Sequence, residues 1–116
     1  MIFVCYPKCT TCQKAGKWLD AHGFSYKVHN IKEDNPTYED LKKWLLASGL
    51  PVKRFFNTSG LVYRSMELKD KLPAMTEDDC LKLLATDGML VKRPLLIADG
   101  KVLVGFKESA WEEALL

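Results

Sequence analysis

Apolar residues recur along this chain with two different periods, and the points where the period changes mark its elements. Ile2 to Tyr6 is a short apolar run stopped by Pro7, which predicts a fully buried strand. From Thr10 to His22 the spacing becomes helical, with Ala15, Trp18, Leu19 and His22 on one face and Gly23 as a left-handed stop. Phe24 to Ile31 alternates, with Phe24, Tyr26 and Val28 set against Ser25, Lys27 and His29, and predicts a second strand. Behind Pro36, Thr37 and Asp40 form a capping box for a helix that buries Leu41, Trp44 and Leu45 and stops at Gly49. Residues 50–75 carry a weaker pattern, in which Phe55 to Gly60 reads as a turn and Leu61 to Leu68 as one short helix before Pro73. Thr76 with Asp79 caps a further helix, running through Leu81 and Leu84 to Gly88. Leu95 to Ile97 and Val102 to Val104 flank Asp99-Gly100, a strong hairpin signal, and Ser109 to Glu112 is a capping box for a last short helix.

The order is βαβ, a helical insert, then ββα. The βαβ unit must cross over right-handed, which lays its two strands parallel, and the terminal hairpin completes a small four-stranded mixed sheet covered by helices. This is an α/β, thioredoxin-like arrangement. At 116 residues and 47% hydrophobic the chain can bury one core, so residues 1–116 are expected to form a single domain. The net charge of +2 comes from Lys and Arg scattered among Asp and Glu without a basic stripe, and no direct nucleic-acid partner is expected. Met1 to Val4 is too short for a signal-peptide core, and no apolar run approaches the roughly 20 residues that span a bilayer. The expected location is cytoplasmic, with no membrane partner. There, four cysteines are expected to be reduced, catalytic or metal-bound rather than a disulfide framework.

The candidate chemistry sits where the first strand turns into the first helix, at Cys9-Thr10-Thr11-Cys12. A thiol at the first turn of a helix faces unpaired backbone N–H groups and the positive end of the helix dipole, both of which favour a thiolate. Cys12 lies one turn further on, within reach of a mixed disulfide on Cys9. Lys8 and Lys14 add positive charge nearby. With Cys5 the spacing is C-x3-C-x2-C, which is also the iron–sulfur signature of radical enzymes. Those enzymes need a much larger barrel, and Cys5 falls inside an apolar strand. Zinc held by Cys5, Cys9, Cys12 and Cys80 would lack the His or second C-x-x-C of a recognisable site, and Cys80, beside Leu81, is expected in the core. Lys92-Arg93-Pro94, ahead of the third strand, has two readings. Arg93 is either a solvated charge before a strand-entry proline, or, beside a cis Pro94, a planar donor fork for an anion at the thiolate. The pattern alone leaves both open.

Tyr6-Pro7-Lys8-Cys9-Thr10-Thr11-Cys12-Gln13-Lys14-Ala15, together with Phe55 to Gly60, Asp87 to Pro94 and Val104 to Glu108, resembles the family of glutaredoxin-coupled arsenate reductases and Spx-type regulators, in register over nearly the whole chain. The resemblance is greatest to its short C-x-x-C members, called arsenate reductase-like. It implies a thioredoxin fold with a helical insert, Cys9 as nucleophile, a cis bond at Pro94 and Arg93 as oxyanion ligand. It also implies Arg54 and, in the place of a third arginine, Lys107 as further oxyanion ligands. No bound cofactor is implied; glutathione with glutaredoxin, or thioredoxin, would supply electrons, and the substrate would be a small thiol, disulfide or oxyanion. A lysine is a poorer oxyanion ligand than a bidentate guanidinium, and Cys12 stands where the glutathione-dependent enzymes have no thiol. Both departures imply weak arsenate reduction and an internal resolving thiol. The alternative is an Spx-type regulator that binds the RNA polymerase α-subunit. Those regulators run on past the last helix with a charged tail and generally lack the Phe-Asn-Thr-Ser-Gly segment, so the enzyme is the expected reading.

Overall fold

A computed structural model describes all residues 1–116. Four strands, β1 (Ile2–Cys5), β2 (Lys27–Asn30), β3 (Leu95–Ala98) and β4 (Lys101–Val104), form one mixed sheet in the order β2-β1-β3-β4. β1 and β2 are parallel, while β3 runs antiparallel to both β1 and β4. α1 (Thr10–Ala21) joins the parallel pair, and α2 (Tyr38–Ser48), α3 (Leu61–Ser65), α4 (Leu68–Lys71) and α5 (Glu77–Leu84) fill the stretch between β2 and β3. α6 (Glu108–Leu115) closes the chain. This is the thioredoxin-like architecture, with a helical insert.

Alternation along the central strands sorts the core into two layers. Phe3 and Cys5 of β1 and Leu96 of β3 pack with Cys12, Ala15, Trp18 and Leu19 of α1 and Trp111 of α6. Val4 and Leu95 face the other way, onto α2, α5 and the insert, through Leu41, Trp44, Phe55, Leu81 and Leu84. Each such large side chain, fully buried, contributes roughly 1.5–3 kcal/mol. No helix is long and apolar enough to cross a membrane.

Local signals account for most of the boundaries. The Thr37–Asp40 and Thr76–Asp79 capping boxes are both formed in full. Gly23 and Gly49 adopt positive φ where α1 and α2 end, and Asp99 and Gly100 both do so in the β3–β4 turn, as a tight hairpin requires. Four expectations are corrected. The β1–β2 ladder opens at Lys27, not Phe24; Phe24 and Tyr26 turn into the α1 layer, where Tyr26 packs edge-on to Phe3 and donates to Asp20 at 2.9 Å. The expected Leu61–Leu68 helix breaks into α3 and α4 because Glu67 takes a left-handed conformation. α5 stops at Leu84 rather than Gly88, since Thr86 Oγ1 donates to Leu83 O and Asp87 caps Met89 to begin a separate 3₁₀ turn. The Ser109–Glu112 box does not form: α6 begins at Glu108, and Trp111 fixes it by donating from Nε1 to Gly105 O at 3.1 Å.

Candidate functional site

β1 delivers the chain to the amino end of α1 through a tight turn in which the Cys9 N–H donates to Tyr6 O at 2.9 Å. Cys9 is the N-cap residue of α1, with extended backbone (φ −84°, ψ 124°), and its sulfur is half-buried. Cys12, one turn on, points inward and is 2% exposed. All four cysteines are free thiols.

The two thiols of the motif differ electrostatically. Partial burial acts to raise the Cys9 thiol. It is outweighed by the Cys12 backbone N–H, the Arg93 side chain, the Cys12 thiol and the Thr11 backbone N–H, all of which favour the charged sulfur. Cys9 is therefore held below the ordinary thiol range. No regular side-chain cap forms at Cys9, so the two N–H groups act on the sulfur as nearby dipoles more than as ideal hydrogen bonds. Cys12 is pushed up to about 12, first by burial and then by the neighbouring Cys9 charge, against a partial offset from the Tyr6 N–H, which lies 3.5 Å from its sulfur. Burial also raises Cys5 and Cys80, which lie in the two core layers as their apolar contexts suggested.

Arg93 reaches Cys9 from the segment that enters β3, and the Arg93–Pro94 peptide bond is cis. The Arg93 guanidinium carbon lies 5.2 Å from the centroid of the Tyr6 ring. Its Nε and Nη1 are buried and donate to no protein acceptor. This segment is stitched to the insert by two short backbone hydrogen bonds, Asn57 N to Leu90 O and Lys92 N to Phe55 O, both at 2.7 Å, around an antiparallel bridge between Phe56 and Val91. That seam sets the Asn57–Gly60 turn opposite Cys9 and encloses a cleft of about 570 Å³. Cys9, Arg93 and Lys92 line it together with the apolar Leu61, Met89 and Phe106; no Asp or Glu does.

Of the expected site residues, the fold brings together Cys9, Cys12, Arg93 and Pro94. Arg54 sits exposed on the 3₁₀ turn Val52–Phe55 and Lys107 exposed at the N-cap of α6, and neither lines the cleft. Lys92 supplies the second cation instead. Its side chain passes over Gly105, where a Cβ would stand 3.3 Å from Lys92 Cε, and its place beside Arg93 in the strand-entry motif was the available clue.

The chain belongs to the ArsC family, which matches residues 5–114. It is 53% identical over 113 residues to YusI of Bacillus subtilis (strain 168), an uncharacterized protein, covering 97% of this chain and 96% of that one. A crystal structure of an ArsC family related protein from Bacteroides fragilis superimposes with a TM-score of 0.94 at 55% identity, covering 97% of this chain and 94% of the other. The global transcriptional regulator Spx of Enterococcus faecalis is 31% identical over 103 residues, 88% of this chain and 76% of the regulator.

Proposed function

We propose that this ArsC-family protein is a thiol–disulfide oxidoreductase in which Cys9 is the nucleophile and Cys12 the resolving thiol. The observation that carries this reading is the opposed environment of the pair: a half-exposed Cys9 held below its ordinary range, backed one turn away by a buried Cys12 held far above it. The Cys9 thiolate attacks one sulfur of a substrate disulfide, forming a mixed disulfide and expelling the other sulfur as thiolate. Cys9 then carries no charge, so the part of the Cys12 elevation due to that charge disappears and Cys12 is more readily deprotonated. Its thiolate attacks Cys9, releases the second substrate thiolate, which takes up the proton, and leaves a Cys9–Cys12 disulfide. Two electrons and two protons from an external donor (thioredoxin, or glutathione with glutaredoxin where the substrate is not itself glutathione disulfide) return both thiols.

Arg93 binds the anionic part of the substrate in this scheme, and its two uncommitted donors support the role. Lys92 adds a second charge at the same wall. A cleft of about 570 Å³ with an apolar side suits a glutathione- or peptide-sized disulfide better than a lone tetrahedral oxyanion. Arg54 and Lys107 stand outside it, which argues against efficient arsenate reduction. The deciding experiment is mass spectrometry of mixed disulfides trapped with Cys12→Ser during turnover of glutathione disulfide. Adducts on Cys9 are expected, and accumulation of adducts on Cys5 or Cys80 instead would remove the assignment.

The match to Spx favours a second reading, a redox-controlled regulator that contacts the RNA polymerase α-subunit. Stable co-elution with that subunit, coupled to no turnover with any thiol donor, would put this reading first.

A further inference from the structure

Tyr6 occupies the junction between β1 and the approach to Cys9, and its main chain serves both thiols. Its carbonyl accepts from the Cys9 N–H at 2.9 Å, and its N–H lies 3.5 Å from Cys12 Sγ. Its ring does something different. The Arg93 guanidinium carbon stands 5.2 Å from the ring centroid, inside the range at which an aromatic face attracts a cation. Arg93 has few other restraints. It takes part in no salt bridge, and its Nε and Nη1 have no protein acceptor. Its attraction to Cys9, with which it lines the cleft, depends on a sulfur charge that vanishes whenever Cys9 enters a disulfide. A long side chain held only by that attraction would regain its rotamer freedom in the middle of each cycle. The Tyr6 face is the contact that persists. Lys32 Nζ lies 5.9 Å from the same centroid, but Lys32 is exposed, and a hydrated ammonium competes poorly with a half-buried guanidinium. The Tyr6 hydroxyl makes no hydrogen bond within the protein, so the ring alone supplies the interaction.

We propose that Tyr6 is a positioning residue: its ring face holds the Arg93 guanidinium at Cys9 through both the thiolate and the disulfide stages of the cycle. This rests on the reading of Cys9 as the nucleophile. It extends that reading to a residue outside the cleft lining, which would act on the reaction only through Arg93.

The test is the pH dependence of Cys9 alkylation by iodoacetamide, with Cys9→Ser confirming which thiol titrates, in Tyr6→Phe, Tyr6→Trp and Tyr6→Leu. Tyr6→Phe and Tyr6→Trp keep an aromatic face and should retain the wild-type midpoint to within about 0.2 pH units, whereas Tyr6→Leu should raise it by about half a unit or more. The decisive arm is the double substitution. In an Arg93→Ala background, Tyr6→Leu should add no further shift, because its whole effect passes through Arg93. A wild-type midpoint in Tyr6→Leu, or a full additional shift in the double variant, would overturn the proposal. If Tyr6→Leu does not fold, a midpoint in Tyr6→Phe displaced as far as in Arg93→Ala would also overturn it. An early titration that survives in Cys9→Ser would instead remove the functional reading beneath, whatever Tyr6 does.

Discussion

Cys9 occupies the N-cap position of α1 and Cys12 lies one turn inside it, and this single turn separates a thiol stabilised as its anion from one buried as its neutral form. Helix geometry imposes the contrast. The amino terminus presents its unpaired N–H groups to the first residue, and the side chain one turn on falls on the face that packs against β1.

Alkylation at neutral pH should therefore modify Cys9 almost alone. Its rate against pH should show a midpoint below the ordinary value of about 8.5 in wild type and in Cys12→Ser. In Cys12→Ser the thiol donor to Cys9 becomes a hydroxyl donor, so only a small displacement is expected there. Arg93→Ala removes a donor to the charged sulfur, and should move the midpoint upward.

Stability should fall with alkaline pH, and the sign follows from the direction of the shifts. Cys5, Cys12 and Cys80 are all raised in the folded state, so each contributes stability that is complete below the unfolded thiol value and is lost as pH rises towards the folded one. For Cys12 this window runs from about 8.5 to about 12. Urea midpoints should decline from about pH 8.5 to 10.5, with a limiting slope of about 1.4 kcal/mol per pH unit for each thiol that titrates only in the unfolded chain, whereas below about 8.5 the depressed Cys9 acts with the opposite sign. Cys12→Ala should flatten part of that decline. An unchanged profile in Cys12→Ala would show that Cys12 is less buried than the fold indicates.

The sequence was most informative where a single residue type enforces a backbone state or a cap. The two Thr–Asp boxes, the Asp99–Gly100 turn and the C-x-x-C at the strand-to-helix junction could all be read locally. The cleft could not, because its far wall is made by the Phe55–Asn57 to Leu90–Lys92 seam, a long-range pairing with no periodic signature. Arg54 and Lys107 were expected in the site through the family resemblance, and nothing local to the pattern could correct them or put Lys92 in their place. Phe106 does line the cleft, but its neighbour Lys107 lies in extended backbone at the N-cap of α6 and is directed to solvent. The α3–α4 break was equally invisible, since nothing in the residue type marks Glu67 for a left-handed conformation.

Gly88 gives a structural prediction independent of the chemistry. A Cβ there would stand 1.9 Å from Ile31 O and 2.8 Å from Asn35 Oδ1, at the contact between the turn after α5 and the end of β2. Neither backbone can yield without separating the insert from the sheet. Gly88→Ala should cost at least about 2 kcal/mol in equilibrium unfolding, well beyond an ordinary surface substitution. Gly49→Ala, with open space around it, should cost less, through its positive φ alone.

The last prediction ranks the four cations. Arg93 combines a place beside Cys9 in the cleft, two uncommitted donors and partial burial, so its guanidinium acts where solvent screening is weak. Arg93→Ala should lower kcat/KM on glutathione disulfide by about 30- to 1000-fold, as expected for loss of a donor worth roughly 2–4 kcal/mol at developing negative charge. Lys92 lines the same wall with a flexible, more strongly hydrated charge, and Lys92→Ala should cost about 3- to 10-fold, mostly in KM. Arg54→Ala and Lys107→Ala should change kcat/KM less than twofold, because neither side chain lines the cleft. For arsenate the same geometry leaves one guanidinium and one ammonium where a tetrahedral dianion would need a closed set of bidentate partners, so saturable reduction is expected to be weak or absent. Steady-state kinetics of the four alanine variants on both substrates decide the matter. A large loss in Lys107→Ala, or efficient arsenate turnover that depends on Lys107 or Arg54, would mean that the cleft closes around its substrate and recruits residues that stand outside it here.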